Sequence, residues 1–227
     1  MKQVLLGYLF SYGYVFAVLG FSQLCKKLLR ITQEDARKII HVGLVFTWLI
    51  IIRFLKGTVH SVIIPGSFVV LNYLAYLAAT RPGRLKIPLL SAMERDGGEE
   101  TPGTVYYALS IAVMALITCL VPPMLTPCGI GLFCMAFGDG MAGAVGKRLR
   151  GIWKKPLAGD KTLGGSLACV IFAAVGSMIL LLATGQPIHL GKLALLGIIC
   201  GVLELPGKGL DNLTVPFGCM LAAYLLL

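Results

Sequence analysis

The residues most suited to chemistry sit in four short polar stretches of an otherwise apolar chain. "FGDGMAGAVGKRL", residues 137–149, ends a long apolar run with Asp139, Lys147 and Arg148 set among glycines and alanines. Charges in hydrocarbon are costly and mark function by default. Eight residues of helix are about 12 Å and close to two turns, so Asp139 and Lys147 share a face and can address one extended ligand. Gly138, Ala142 and Gly146 form a small-xxx-small row that brings neighbouring helices close. The plainer reading is that the glycines only pack helices and Asp139 only pairs with a cation. Gly138, Gly140 and Gly143 also satisfy GxGxxG, with Asp160 about 20 residues on, but the context is an apolar helix and not a βαβ unit. The Walker pattern fails, because Met141 stands five before Gly146 and Arg148 follows Lys147.

Three further stretches carry matching groups. "GDKTLGGS", 159–166, offers an ammonium (Lys161), a hydroxyl (Thr162) and free backbone N–H groups at a helix start, which suits phosphate oxygens. Thr162 is equally suited to a plain N-cap, with Asp160 favouring the helix dipole. "ELPGKGLDNLTVP", 204–216, holds Glu204, Asp211 and Asn212. With Asp139 these supply three carboxylates, the hard oxygen ligands that Mg²⁺ requires; a helix cap by Asp211 and Asn212 is the simpler alternative. "ARKIIHVG", 36–43, sets Arg37, Lys38 and His41 at a helix start, where cations hold phosphates and where a histidine is ordinarily an interface residue. The acidic stretch 93–107 reads as a loop that covers the site or merely connects two helices. Taken together, cations for phosphate, carboxylates for Mg²⁺ and a bilayer at the same depth describe transfer of a phosphate-containing group to or from a lipid. Such transfer depends mainly on positioning and charge neutralisation.

These residues must be positioned by membrane helices. Of 227 residues 57% are hydrophobic and 13% charged, too greasy for a water-soluble surface. Apolar stretches near 4–24, 39–55, 58–79, 104–121, 124–146, 163–183, 190–205 and 212–227 approach the roughly 20 residues of a spanning helix. The expectation is an all-α polytopic membrane bundle of about eight transmembrane helices, a single catalytic domain over 1–227. The first stretch reads as a permanent helix, since it carries Ser11 and tyrosines and is followed by a basic loop. The seven cysteines are odd in number and scattered, and read as packing residues.

All but four of the 20 lysines and arginines fall in the odd-numbered loops; Lys2, Arg53, Lys56 and Lys192 lie opposite. By the positive-inside rule the odd loops are cytoplasmic and both termini outside. The ten acids gather on the same side, which topology alone does not require, so the site is expected to face the cytoplasm. The formal charge of +10 therefore points to membrane lipids, not nucleic acid.

The ordered set "RKIIH" (37–41), "GDGMAGAVGK" (138–147), "KTLGGS" (161–166) and "DNLTVP" (211–216) resembles the polyprenol kinase family of dolichol kinases, phytol kinases and CTP-dependent diacylglycerol kinases, and is distantly similar to phosphatidate cytidylyltransferases. The resemblance spans about residues 35–220. It implies CTP as donor, Mg²⁺ as cofactor and a lipid alcohol as acceptor. Asp139, Glu204 and Asp211 are then expected to hold Mg²⁺. Arg37, Lys38, His41, Lys147, Arg148, Lys161, Thr162 and Asn212 are expected on the nucleotide and its phosphates, and Asp139, Asp211 and Lys161 in catalysis, with either aspartate orienting or deprotonating the acceptor hydroxyl. A homodimer is compatible with this reading. The nearest rival is a cytidylyltransferase making CDP-lipid. A transporter or lipid-binding scaffold would instead want polar residues at mid-bilayer depth and on both sides.

Overall fold

The structure, a computed structural model, describes residues 1–80, 102–149, 151–158, 161–206 and 209–227. Helices dominate. They fall into two compact units, Met1–Leu120 and Val121–Leu227, each described by itself.

The first unit contains α1 (Lys2–Leu29), α2 (Gln33–Leu44), α3 (Thr47–Phe54), α4 (His60–Thr80) and α5 (Gly103–Leu120). Val15 and Leu19 of α1 bury against Ile40 of α2, and Ser22 donates to the Ala36 carbonyl at 2.7 Å. The span expected at 39–55 is broken between α2 and α3. The Gly43 carbonyl, which a continuous helix would offer to Thr47, instead accepts from the Tyr14 hydroxyl at 3.0 Å and from the Phe46 amide at 3.2 Å. A side chain drawn into the helical ladder is an ordinary cause of such breaks. The α4 and α5 helices are antiparallel neighbours: Ser61, near the start of one, meets Cys119, near the end of the other, at 3.1 Å. Residues 103–107 are helical, so this end of the expected 93–107 loop is the first turn of α5; residues 93–101 lie outside the described residues, as does Asp160.

The second unit contains α6 (Leu125–Phe133), a π-helical turn (Cys134–Asp139), α7 (Gly140–Gly146), a two-stranded hairpin of β1 (Pro156–Ala158) and β2 (Lys161–Thr162), then α8 (Leu163–Thr184), α9 (Leu190–Glu204) and α10 (Asp211–Leu226). The hairpin pairs Pro156 with Thr162 and Ala158 with Lys161. It is a small exception to an otherwise helical chain. Small residues set the close approaches. A methyl on Gly138 would stand 2.8 Å from the Cys200 Sγ, and one on Gly146 would stand 2.9 Å from the Thr162 Oγ1, so the row that includes Ala142 does admit α8 and α9. All seven cysteines are free thiols.

The protein is an all-α polytopic membrane protein. Five helical stretches among the described residues are long and apolar enough to cross a bilayer: Lys2–Leu29, His60–Ala78, Gly103–Leu120, Pro122–Gly146 and Leu163–Thr184. Of the other expected spans, α9 and α10 have 15 and 16 residues, about 22–24 Å at helical rise against a hydrocarbon core of about 30 Å.

Candidate active site

In the second unit, one carboxylate comes from each of three elements. Asp139 ends the π-turn, Glu204 ends α9, and Asp211 opens α10. Carboxylate oxygens of the three lie within 4.8 Å of one another. π-turns are rare and frequent at functional sites; this one precedes the helix that the glycine row packs into place. Asp211 occupies the first turn of α10, where an anion is favoured by the helix dipole.

The cation of this cluster is Lys161. Its Nζ donates to Glu204 Oε1 and, at 3.3 Å, to Asp211 Oδ2. Burial drives the Lys161 ammonium toward neutrality, but the hydrogen bond to Glu204 and the charges of Asp139, Glu204 and Asp211 outweigh it and hold its pKa above the ordinary lysine value. It is therefore an ammonium at neutral pH. The hairpin fixes its place: β2 carries Lys161 on the residue before Thr162, and Thr162 caps α8 by accepting from the Gly165 amide at 3.2 Å. Thr162 thus takes the capping role, and Lys161 beside it is bound to carboxylates.

Lys161 thus pairs with two of the three carboxylates. Glu204 is almost wholly buried, at 1% exposure, and its Oε2 and the Asp211 Oδ1 have no hydrogen-bond partner among the described residues. Buried carboxylate oxygens without donors are expensive, and a hard divalent cation is the group whose coordination satisfies them. These residues fit Mg²⁺.

The remaining expected residues divide. Lys147 and Arg148 are exposed at the C-terminal end of α7, with Arg148 Nη1 donating to the Ala144 carbonyl at 2.8 Å. Asn212 follows Asp211 in the first turn of α10, half-buried. Arg37, Lys38 and His41 belong to α2 of the first unit. There Arg37 is paired to Glu34, Nη2 to Oε1 at 2.7 Å, Lys38 is buried, and the His41 ring lies 4.7 Å from that of Tyr107. Tyr107 also donates its hydroxyl to the His41 carbonyl at 2.8 Å. The sequence reading gave Tyr107 no part. Its signal was weak, an aromatic at the first turn of a helix with nothing in spacing to tie it to residue 41.

A helical membrane protein with a carboxylate–lysine cluster at helix ends is the class that fold and site define. Comparison narrows it. The chain is 28% identical over 224 residues to a phytol kinase of Synechocystis, covering 93% of this chain and 87% of that protein. It is 31% identical over 214 residues to a probable chloroplastic phytol kinase 1 of Oryza sativa, covering 86% of this chain and 65% of the relative. It is 28% identical to the chloroplastic phytol kinase 1 of Arabidopsis thaliana, covering 92% and 71%. No family model matches the chain, and no solved structure matches it. Over most of its length the chain is thus similar to proteins named phytol kinases, which supports a polyprenol/phytol kinase assignment.

Proposed function

We propose that this protein is a lipid-alcohol kinase that transfers the γ-phosphoryl group of CTP to the hydroxyl of an isoprenoid alcohol of the phytol type. The observation that carries the reading is the meeting of Asp139, Glu204, Asp211 and Lys161 at the ends of apolar helices, in a chain whose relatives are named phytol kinases.

Phosphoryl transfer asks for alignment of donor and acceptor and for neutralisation of oxygen charge. Asp139, Glu204 and Asp211 are the residues that hold Mg²⁺ in this reading; when bound, the ion supplies positive charge at the donor's phosphate oxygens. Lys161 is held by two of the acids and stays protonated, so it stabilises negative charge without giving up its proton. The Gly165 amide is committed to Thr162, and the Lys161 side chain is the group of that segment assigned to the phosphate in this reading. Lys147 and Arg148, exposed beyond α7, supply further phosphate contacts, and Asn212 assists Asp211. The α2 residues Arg37, Lys38 and His41 are the phosphate-binding group of the first unit. Asp139 or Asp211 accepts the acceptor's hydroxyl proton as its oxygen attacks the γ-phosphorus and the bond to the β-phosphate oxygen breaks, giving CDP and a lipid monophosphate. The site faces the cytoplasm, where CTP is found, in keeping with the one-sided basic loops.

The test incubates the purified full-length protein with γ-labelled CTP or ATP, Mg²⁺ and a panel of phytol, farnesol, undecaprenol, dolichol, diacylglycerol and phosphatidate. Label is expected in phytol monophosphate, with CTP as the better donor. Label in no lipid, or formation of pyrophosphate and a CDP-lipid, overturns the reading.

A further inference from the structure

Helices α8 and α9 run antiparallel, and small residues let them approach closely. A methyl on Gly197 would stand 2.3 Å from the Val170 carbonyl oxygen, and one on Gly201 would stand 2.7 Å from the Val170 side chain and 3.7 Å from the Ser166 carbonyl oxygen. Cys169 and Cys200 meet at the same seam, Sγ to Sγ at 3.7 Å. Ser166 precedes Cys169 and Val170 by three and four residues, so it shares their face, the one turned to α9. About one turn of α9 separates Gly201 from Glu204, and about one turn of α8 separates Ser166 from the start of that helix, beside Lys161, which is bonded to Glu204. Side chains on a helix lean toward its N-terminus. In an antiparallel pair the two leans oppose: Ser166 tilts along α8 toward the level of Glu204, and Glu204 tilts back along α9 toward the level of Ser166.

The atoms that converge there are unsatisfied. Ser166 is 8% exposed and Glu204 1%, and neither the Ser166 hydroxyl nor Glu204 Oε2 has a hydrogen-bond partner among the described residues. A serine or threonine inside a helix commonly returns its hydroxyl to a carbonyl one turn back. Ser177 and Thr184 of α8 do so, at 2.9 Å and 2.8 Å; Ser166 does not. The group that satisfies both atoms must take lone pairs from a hydroxyl oxygen and a carboxylate oxygen together. A phosphate oxygen in that place would be pressed against a buried carboxylate, whereas a cation is attracted to both.

We propose that Ser166 is a fourth protein ligand of the divalent cation, its neutral Oγ standing beside the carboxylate of Glu204. The proposal rests on the Mg²⁺ site of the kinase reading and adds a residue to it. A hydroxyl is a hard oxygen donor of the kind Mg²⁺ takes, and a serine or threonine hydroxyl holds Mg²⁺ at other phosphoryl-transfer sites.

The test measures metal binding without turnover. Purified full-length protein is titrated with Mn²⁺ in the absence of nucleotide and lipid, and the free ion is read by electron paramagnetic resonance. Ser166→Ala is expected to raise the Kd for Mn²⁺ about tenfold. Ser166→Cys exchanges a hard oxygen for a soft sulfur, so buffered free Cd²⁺ should displace Mn²⁺ from this variant at a concentration about tenfold lower than from the unsubstituted protein. Displacement counts only the Cd²⁺ that enters the Mn²⁺ site, so the seven native thiols do not enter the comparison. Ser177→Ala, which removes a buried hydroxyl farther along α8, should leave both values unchanged. Three results overturn the proposal: an Mn²⁺ affinity indifferent to Ser166→Ala, an equal loss in Ser177→Ala, and a loss in Ser166→Ala with no gain for Cd²⁺ in Ser166→Cys, which would give the hydroxyl to a water or a phosphate instead. Unsubstituted protein that binds no Mn²⁺ overturns it too. A protein that binds Mn²⁺ through Ser166 but phosphorylates no alcohol would refute the kinase reading alone, and one that phosphorylates an alcohol with Mn²⁺ affinity indifferent to Ser166 would refute the ligand alone.

Discussion

At the scale of single residues, Lys161 and Asp139 make the sharpest predictions. Lys161 separates acids that would otherwise repel one another across a few ångströms. Lys161→Met is expected to destabilise the purified protein by about 2–3 kcal/mol in chelator, below the full cost of orphaning a buried charge because the lysine side chain is a quarter exposed. Added Mg²⁺ should restore most of that loss in a thermal unfolding assay, and a Tm indifferent to Mg²⁺ would argue against a metal on these acids. Asp139→Asn keeps the shape and removes the charge. It should lower lipid phosphorylation at least 10²-fold, the order seen when one electrostatic contributor to a transition state is deleted, with the chromatographic profile unchanged. Asp139, Glu204 and Asp211 were legible in the sequence because acids in apolar surroundings are conspicuous. The bond of Lys161 to two of them was not legible: "GDKTLGGS" read by itself gives a cation for phosphate, and only the third dimension, which closes 43 and 50 residues of separation, turns it into an ion-pair partner.

The elements place these side chains through close contacts of small residues. Thr162 is at once the cap of α8 and the nearest neighbour of the space beside Gly146. Thr162→Ala is expected to cost about 1 kcal/mol of stability through the lost cap. Gly146→Val should cost more, about 1–3 kcal/mol by overpacking, and should lower activity by moving α7 from α8; chemical denaturation of both variants in one detergent gives the comparison. Apolar runs and glycine spacing made α1, α4, α5 and α8 readable to within a few residues of the expected spans. The break between α2 and α3 was hidden because the run 39–55 has no proline and a single glycine, Gly43, is tolerated inside a helix; it is the Tyr14 hydroxyl from α1 that takes up the Gly43 carbonyl. The hairpin was hidden for a similar reason. Two residues of strand, Lys161 and Thr162, carry no periodicity that could reveal them.

For the whole molecule, the distribution of charge makes the prediction. Lys155, just before β1, is exposed and belongs to a loop expected inside. In a Cys119→Ser parent, Lys155→Cys should react with a membrane-impermeant maleimide in inside-out vesicles and not in right-side-out ones, while tags at both termini show the reverse. Labelling from the outside would invert the topology and with it the side from which nucleotide is drawn. Among the described residues five stretches meet the length of a spanning helix outright, whereas α9 and α10 fall short by composition-independent geometry. That arrangement suits a site built at helix ends: Glu204 closes α9 and Asp211 opens α10.

The wide turn at Cys134–Asp139 carries a consequence for how this chain can vary. A π-turn holds one residue more than the α-helical path it replaces, and each residue of an α-helix turns the next by about 100°. Deleting a single alanine or methionine there should close the bulge into plain α-helix with its flanks near their present register, whereas deleting one residue from the regular turns of α6 would swing Asp139 about a quarter of a circle relative to that helix's other contacts. Lineages that drop one letter from α6 should therefore lose catalysis while keeping the same hydropathy profile, and lineages that drop one from the wide turn should keep Asp139 beside its partners.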